Sequence, residues 1–98
     1  MNLKGKQRKY LRGLAHHYKP HVIIGKNELT KGSLNSINES LESKELIKVK
    51  FFDNLCKNKS ISIIETSLKC FVIGNIGKIL IIYRQNEDVD KRKIILSK

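Results

Sequence analysis

The first 31 residues hold eight Lys or Arg side chains against a single carboxylate, Glu28, in a chain of 98 residues with 20 basic and nine acidic groups and a formal net charge of +11. Lys4, Arg8 and Arg12 recur every fourth residue with Lys9 beside them, and Lys19, Lys26 and Lys31 follow. Cations clustered in this way neutralise phosphates and release condensed counterions. They also speed encounter with a polyanion. The chemistry they offer is binding, not bond making.

A second constellation lies within "VIIGKNELTKG", residues 22–32. Three β-branched residues run into Gly25, polar residues follow, and Thr30 stands where the N-cap of a new helix belongs. A strand, a glycine turn and a capped helix together point backbone N–H groups outward. The helix end adds about half a positive charge, and the whole makes an anion seat. Gly25 permits close backbone approach, Lys26 and Lys31 add charge, and Asn27 can donate or accept hydrogen bonds. Lys78 and Arg84, in the later apolar stretch, are second-tier contacts. Arg84 reads equally well as a structural residue closing the last central strand.

Other chemistries find little support. Cys56 and Cys70 lack metal-ligand spacing and read as reduced thiols, with Cys70 in the core. His16, His17 and His21 have no partner ligands at suitable spacing, so no metal site is expected. No nucleophile–base pair, paired carboxylates, phosphate-binding Gly-Lys-Ser/Thr loop or dinucleotide fingerprint is present, so neither an enzyme nor a cofactor is expected. Glu65 is expected on a solvated helix face. Tyr10 reads as core, while Tyr18, beside Lys19, is placed as well for base stacking as for packing. The aromatic pattern of an RNA-recognition motif is absent.

The elements that would position these groups follow from periodicity. Residues 3–17 form a helix with Leu3, Gln7, Tyr10, Leu11 and Leu14 on one face and the cations beside it. Arg8 and Arg12 thus lie off the apolar stripe, and their replacement should leave folding unchanged. Gly5 and Gly13 each weaken this helix by about 1 kcal/mol, so it depends on docking. Pro20 ends it. Residues 22–24 form a short strand and 31–43 a helix stapled by Leu29 and Leu34. Residues 46–52 alternate Ile47, Val49 and Phe51 against Lys48 and Lys50, as a half-exposed strand does. Residues 53–59 look loop-like. Residues 60–71 fit both periods, with helix preferred. Residues 72–76 and 79–83 are strands joined at Gly77-Lys78, and 94–96 either add an edge strand or trail off. The result is α/β, of the α+β two-layer kind. Its order is α-β-α-β-α-β-β, with a mixed four-stranded sheet and helices on one side. By length it is one domain spanning residues 1–98. The start carries no apolar secretion signal, and the apolar run 79–83 is too short to span a bilayer.

Three segments, "LRGLAHHYKPHVIIGKNELTKG" at 11–32, "SLESKELIKVKF" at 40–51 and "IGKILIIYR" at 76–84, resemble those of the CRM-domain family, in particular its bacterial single-domain YhbY-type RNA-binding proteins. The resemblance spans nearly the whole chain. It implies a fold similar to the C-terminal domain of translation initiation factor three. It also implies ribosomal RNA as ligand, in precursors of the large (50S) ribosomal subunit, and a non-enzymatic role in their assembly. The family's first loop carries a GxxG motif likened to the backbone clamp of KH domains. Here Glu28 replaces the second glycine. Either Glu28 joins the helix entry and leaves Gly25, Lys26 and Thr30 to bind, the preferred alternative, or the first helix carries more of the affinity. A somewhat short segment before "IGKILIIYR" leaves the third strand's register open. The expected protein is a cytoplasmic monomer with no membrane or small-molecule partner. The rival readings are a permanent ribosomal protein and a protein–protein interaction module.

Overall fold

The structure is a computed structural model that describes residues 2–26 and 29–96. The elements are α1 (Gly5–Ala15), β1 (Val22–Ile24), α2 (Lys31–Lys44), β2 (Leu46–Phe51), α3 (Asn54–Leu68), β3 (Phe71–Ile76) and β4 (Ile79–Tyr83), with a 3-10 turn at Val89–Lys91. Their order is the expected one. The four strands form a mixed sheet in the order β1-β2-β4-β3. β1 runs parallel to β2, as a crossover through α2 requires, and the remaining pairs are antiparallel. Gly77, at φ +56°, makes the tight β3–β4 turn that a residue with a Cβ would strain. β3 carries a bulge between Val72 and Gly74, which settles its register.

Period-two alternation divides the central strands between two cores. Ile47, Val49 and Phe51 of β2 and Leu80 and Ile82 of β4 pack with Ile37 and Leu41 of α2 and Ile64 of α3. The opposite parity, Leu46, Ile81 and Tyr83, packs with Leu11 and Ala15 of α1 and with Leu3. The helices therefore do not all lie on one side: α1 sits on the face opposite α2 and α3. The cause is the apolar run in β4, which presents Ile81 and Tyr83 on one face and Leu80 and Ile82 on the other. The second face needs a cover, and each large aliphatic side chain buried there contributes about 1.5–3 kcal/mol. That offsets the two glycines of α1.

One boundary and one side chain also differ from expectation, and one open alternative is decided. α3 begins at Asn54, so the polar residues after Asp53 are helix and not loop. Asp53 caps it by accepting from the Cys56 N–H at 2.8 Å. Its first turns turn polar groups inward: Ser60 donates to the Cys56 carbonyl and the buried Lys57 ammonium donates to the Gly77 carbonyl. Residues 94–96 add no strand; Ile94 and Leu96 pack against the α1-side core. Glu65 is not on a solvated face. Half-buried, it accepts from the Val72 N–H at 3.1 Å and so occupies a donor of edge strand β3. Cys70 is in the core as expected, and burial pushes its thiol up to about 11.

Candidate nucleic-acid interface

The orientation of α1 decides what its cations can do. Leu11 and Ala15 are fully buried, whereas Tyr10 is 50% and Leu14 37% exposed. Tyr10 is therefore not core. The buried line runs through positions 11 and 15, and Tyr10 and Leu14 stand one helical step outside it. A four-residue spacing overshoots one turn by about 40°, so the basic series drifts around the helix. Lys4 stays exposed at the N-cap, its backbone N–H donating to Gln7 Oε1 at 2.9 Å. Arg8 lies half-buried with its guanidinium 6.0 Å from the Phe71 ring centre. Arg12, also half-buried, donates from Nη1 at 3.0 Å to the carbonyl of Ile73, the bulge residue that has no Cα partner on β4. The expectation that Arg8 and Arg12 are dispensable for folding is thus corrected: both dock α1 on the sheet, their long stems packing while the charge stays near water.

The helix covers only part of its face. Beyond it lies a groove of about 670 Å³, walled by Lys9, Arg12, Gly13 and His16. Ile76, Ile79 and Ile81 form its floor, with Lys48 of β2 at its edge. Lys48 Nζ reaches back to donate to the His16 carbonyl at 3.1 Å. The strand registers place Ile23, Lys50, Ile79 and Ile76 in one row across all four strands. Ile23 and Ile76 in that row are 72% and 66% exposed.

At one end of this face sits the glycine turn. Ile24 pairs with Phe51, and the Phe51 N–H donates to the Lys78 carbonyl at 2.8 Å. Gly25, Lys26 and the Gly77-Lys78 turn consequently share the sheet end at which β1 and β2 finish. Gly25 is exposed, lies outside the left-handed region, and a Cβ built on it would meet nothing within 4 Å among the described residues. Thr30 caps α2 as expected, its Oγ1 accepting from the Ser33 N–H at 3.1 Å, while the Leu34 N–H donates to the Thr30 carbonyl. The N–H groups of Lys31 and Gly32 find no acceptor among the described residues. Asn27 and Glu28 lie outside the described residues, so both alternatives for Glu28 remain open.

Not all candidates gather here. Lys19 is exposed at the opposite end of β1, before Pro20. Arg84 is a structural staple: it donates to Asn38 Oδ1 and the Asn38 and Leu68 carbonyls, and pairs with Glu42 at 3.1 Å, tying β4 to α2 and α3. Tyr18 packs edge-on against His21 at 5.6 Å. His21 extends the β1–β2 ladder, its N–H donating to the Lys48 carbonyl and its Nδ1 accepting from the Lys48 N–H at 3.1 Å. Burial, then the positive charge of Lys44, holds its pKa below the ordinary value. Lys48 and Lys50 were missed as site residues. Their alternation with Ile47 and Val49 was legible, but not which helix shares their face.

The carboxylates complete the electrostatic picture. Among the described residues, Glu39 and Glu42 lie on α2, Asp53 caps α3, Glu65 is on α3, Glu87, Asp88 and Asp90 lie in the C-terminal segment, and Glu45 is buried. None stands on α1 or on the strands. No described group of three or more His, Cys, Asp or Glu could hold a metal ion, and no described helix is long and apolar enough to cross a membrane.

Fold and surface together define a small α/β domain with helices on both faces of a mixed sheet and one cationic side that carries no carboxylate among the described residues. Its sequence matches the CRS1/YhbY (CRM) domain over residues 3–84, and the chain belongs to that family. An RNA-binding protein of Haemophilus influenzae is 42% identical, the match covering 88% of this chain and 89% of that protein. YqeI of Bacillus subtilis, named as a probable RNA-binding protein, is 32% identical over 88% of this chain and 92% of its own. A Staphylococcus aureus protein whose solution structure was described as that of a candidate RNA binder superposes with a TM-score of 0.78 at 29% identity, covering 96% of this chain and all of that one.

Proposed function

We propose that this protein binds RNA by its backbone phosphates, using the α1-side face and the Gly25 end of the sheet. The observation that carries this reading is the segregation of charge: Lys9, Arg12, Lys48 and Lys50 share a face on which no described carboxylate stands. Lys26, Lys31 and the α2 N-terminal amides that find no acceptor among the described residues seat one phosphate beside Gly25, with Asn27 adjacent in the chain. Lys4, Lys19 and Lys78 flank the track. Arg8 positions α1, and Arg84 holds the fold. The RNA is ribosomal, in precursors of the large ribosomal subunit, and the protein assists their assembly as a cytoplasmic, non-enzymatic monomer. Its family membership and the names of its relatives support RNA binding, and the ribosomal assignment rests on the family resemblance.

The test is the salt dependence of binding. Lys9 and Lys50 are exposed and make no side-chain hydrogen bond among the described residues, so Lys9→Ala with Lys50→Ala leaves folding intact. The slope of log K against log salt should fall by roughly 0.7–0.9 for each phosphate that is no longer neutralised. An unchanged slope would exclude these lysines from the interface. Sedimentation separates the assembly role from its rival: an assembly factor travels with subunit precursors, and a permanent ribosomal protein stays stoichiometric in mature subunits.

A further inference from the structure

A surface that gripped only phosphates would need no apolar floor, yet the groove beside α1 has one. Ile76 is 66% exposed although it sits in a strand, and Ile79 and Ile81 lie beside it on β4. Lys9, Arg12 and Lys48 ring these isoleucines. Four other surface clefts each include at least one carboxylate in their lining; this groove has none among its described lining residues. Its volume of about 670 Å³ falls within the roughly 300–1,000 Å³ of small-ligand sites. A cationic rim over an aliphatic floor complements a molecule with an anionic edge and a flat apolar face.

From this, and resting on the RNA-binding reading above, we propose that the groove between α1 and β4 seats one unstacked nucleobase. The face of the base lies on Ile76 and Ile79, and the phosphates on either side of its ribose lie on Lys9 and Lys48. A base inside a duplex has both faces covered and cannot enter, so the site takes an unpaired or bulged nucleotide. Arg12 is held in place by the Ile73 carbonyl, which orients its guanidinium without spending all five N–H donors. The remaining donors face the base edge or a phosphate. The His16 ring, exposed at the rim, can stack on the outer face of the base. The floor offers few polar groups, so the seat discriminates paired from unpaired RNA far more than one base from another.

The experiment compares a labelled hairpin carrying one unpaired nucleotide with a fully paired hairpin of equal length, by fluorescence anisotropy at fixed salt. Ile76→Asn adds no charge and alters an exposed side chain, and thermal melting checks its fold. The substitution should weaken the bulged hairpin about tenfold and the paired one less than about twofold, as removal of one stacked base implies. Removing the unpaired base to leave an abasic ribose phosphate should weaken wild-type binding to the same degree, with no change to the protein. Equal effects of Ile76→Asn on both hairpins, or wild-type indifference to the abasic site, would overturn the base seat while leaving phosphate binding standing. Failure of wild type to bind either hairpin would instead sink the RNA-binding reading itself. An RNA affinity untouched by Ile76→Asn, alongside competition by an acidic amphipathic peptide, would reassign the groove to a protein.

Discussion

Replacing Gly25 with alanine should stabilise this protein and impair its binding of RNA in the same step. The position has a φ outside the left-handed region that favours glycine, and among the described residues the added methyl would meet no atom within 4 Å. The free fold therefore has no need of glycine there. Restricting the unfolded chain contributes about 0.4–1 kcal/mol to stability at such a site. For a chain of this size that is a rise of about 2–8 °C in Tm. The bound state differs. A phosphate drawn to the end of α2 approaches the Gly25 backbone closely, and a methyl group holds it off. Loss of one charge-assisted hydrogen bond costs about 1.5–3 kcal/mol, a ten- to 150-fold rise in Kd. Thermal unfolding and anisotropy titration on the same preparations give both numbers, with salt held constant because phosphate contacts respond steeply to it. An unchanged or lower Kd beside a raised Tm would show that the loop is not a phosphate seat. A Tm several degrees lower would show that Gly25 serves the fold after all.

Two further outcomes follow from the scaffold. Glu45 is fully buried at φ 64°, and its carboxylate accepts from the N–H groups of Asn86, Lys93 and Ile94 at 2.7, 2.6 and 3.1 Å. Glu45→Ala orphans these donors and should cost about 3–5 kcal/mol, at roughly 1–3 kcal/mol for each without full additivity, with early proteolysis in residues 86–96. Glu45→Gly should be milder because the positive φ favours glycine. A loss under about 1 kcal/mol by urea unfolding in both variants would refute the role of the carboxylate. His21 has a folded pKa below its usual 6.5, so between the two values the unfolded chain holds more protons. Its contribution is complete above pH 6.5 and is lost as pH falls through that window. His21→Asn, whose Oδ1 stands where Nδ1 does and keeps an acceptor for the Lys48 N–H, should flatten the fall of stability as pH drops below about 6.5, and an unaltered slope would assign the dependence elsewhere.

Much of the architecture is written in short-range pattern. Ile47, Val49 and Phe51 alternating with Lys48 and Lys50 specify a strand with one wet face, because side chains on a strand have a period of two. Thr30 before Lys31 specifies a helix start, because a hydroxyl there satisfies an orphan amide. The run at 79–83 specifies a central strand, and Gly77 the turn that precedes it. The basic series in the first helix and the glycine turn were equally plain, and they carry most of the candidate interface. Less legible were elements whose polar residues face inward. α3 hides its first turns because Lys57 and Ser60 bond to carbonyls, and Glu65 reads as solvated although it serves an edge-strand amide.

The chain's local order of strands, caps and cations was thus determined by residue type and spacing alone, since each depends on groups within about four positions. Which face of the sheet α1 covers was decided only by tertiary structure, because it depends on matching a second apolar surface of β4 some 65 residues away. That single choice turns Arg8 and Arg12 into docking residues and leaves Arg84 inside a network between β4, α2 and α3. It also brings Lys9 and Arg12 beside Lys48, Ile76 and Ile79, a grouping that no local pattern encodes, because the strands supplying it pair only once the sheet has formed.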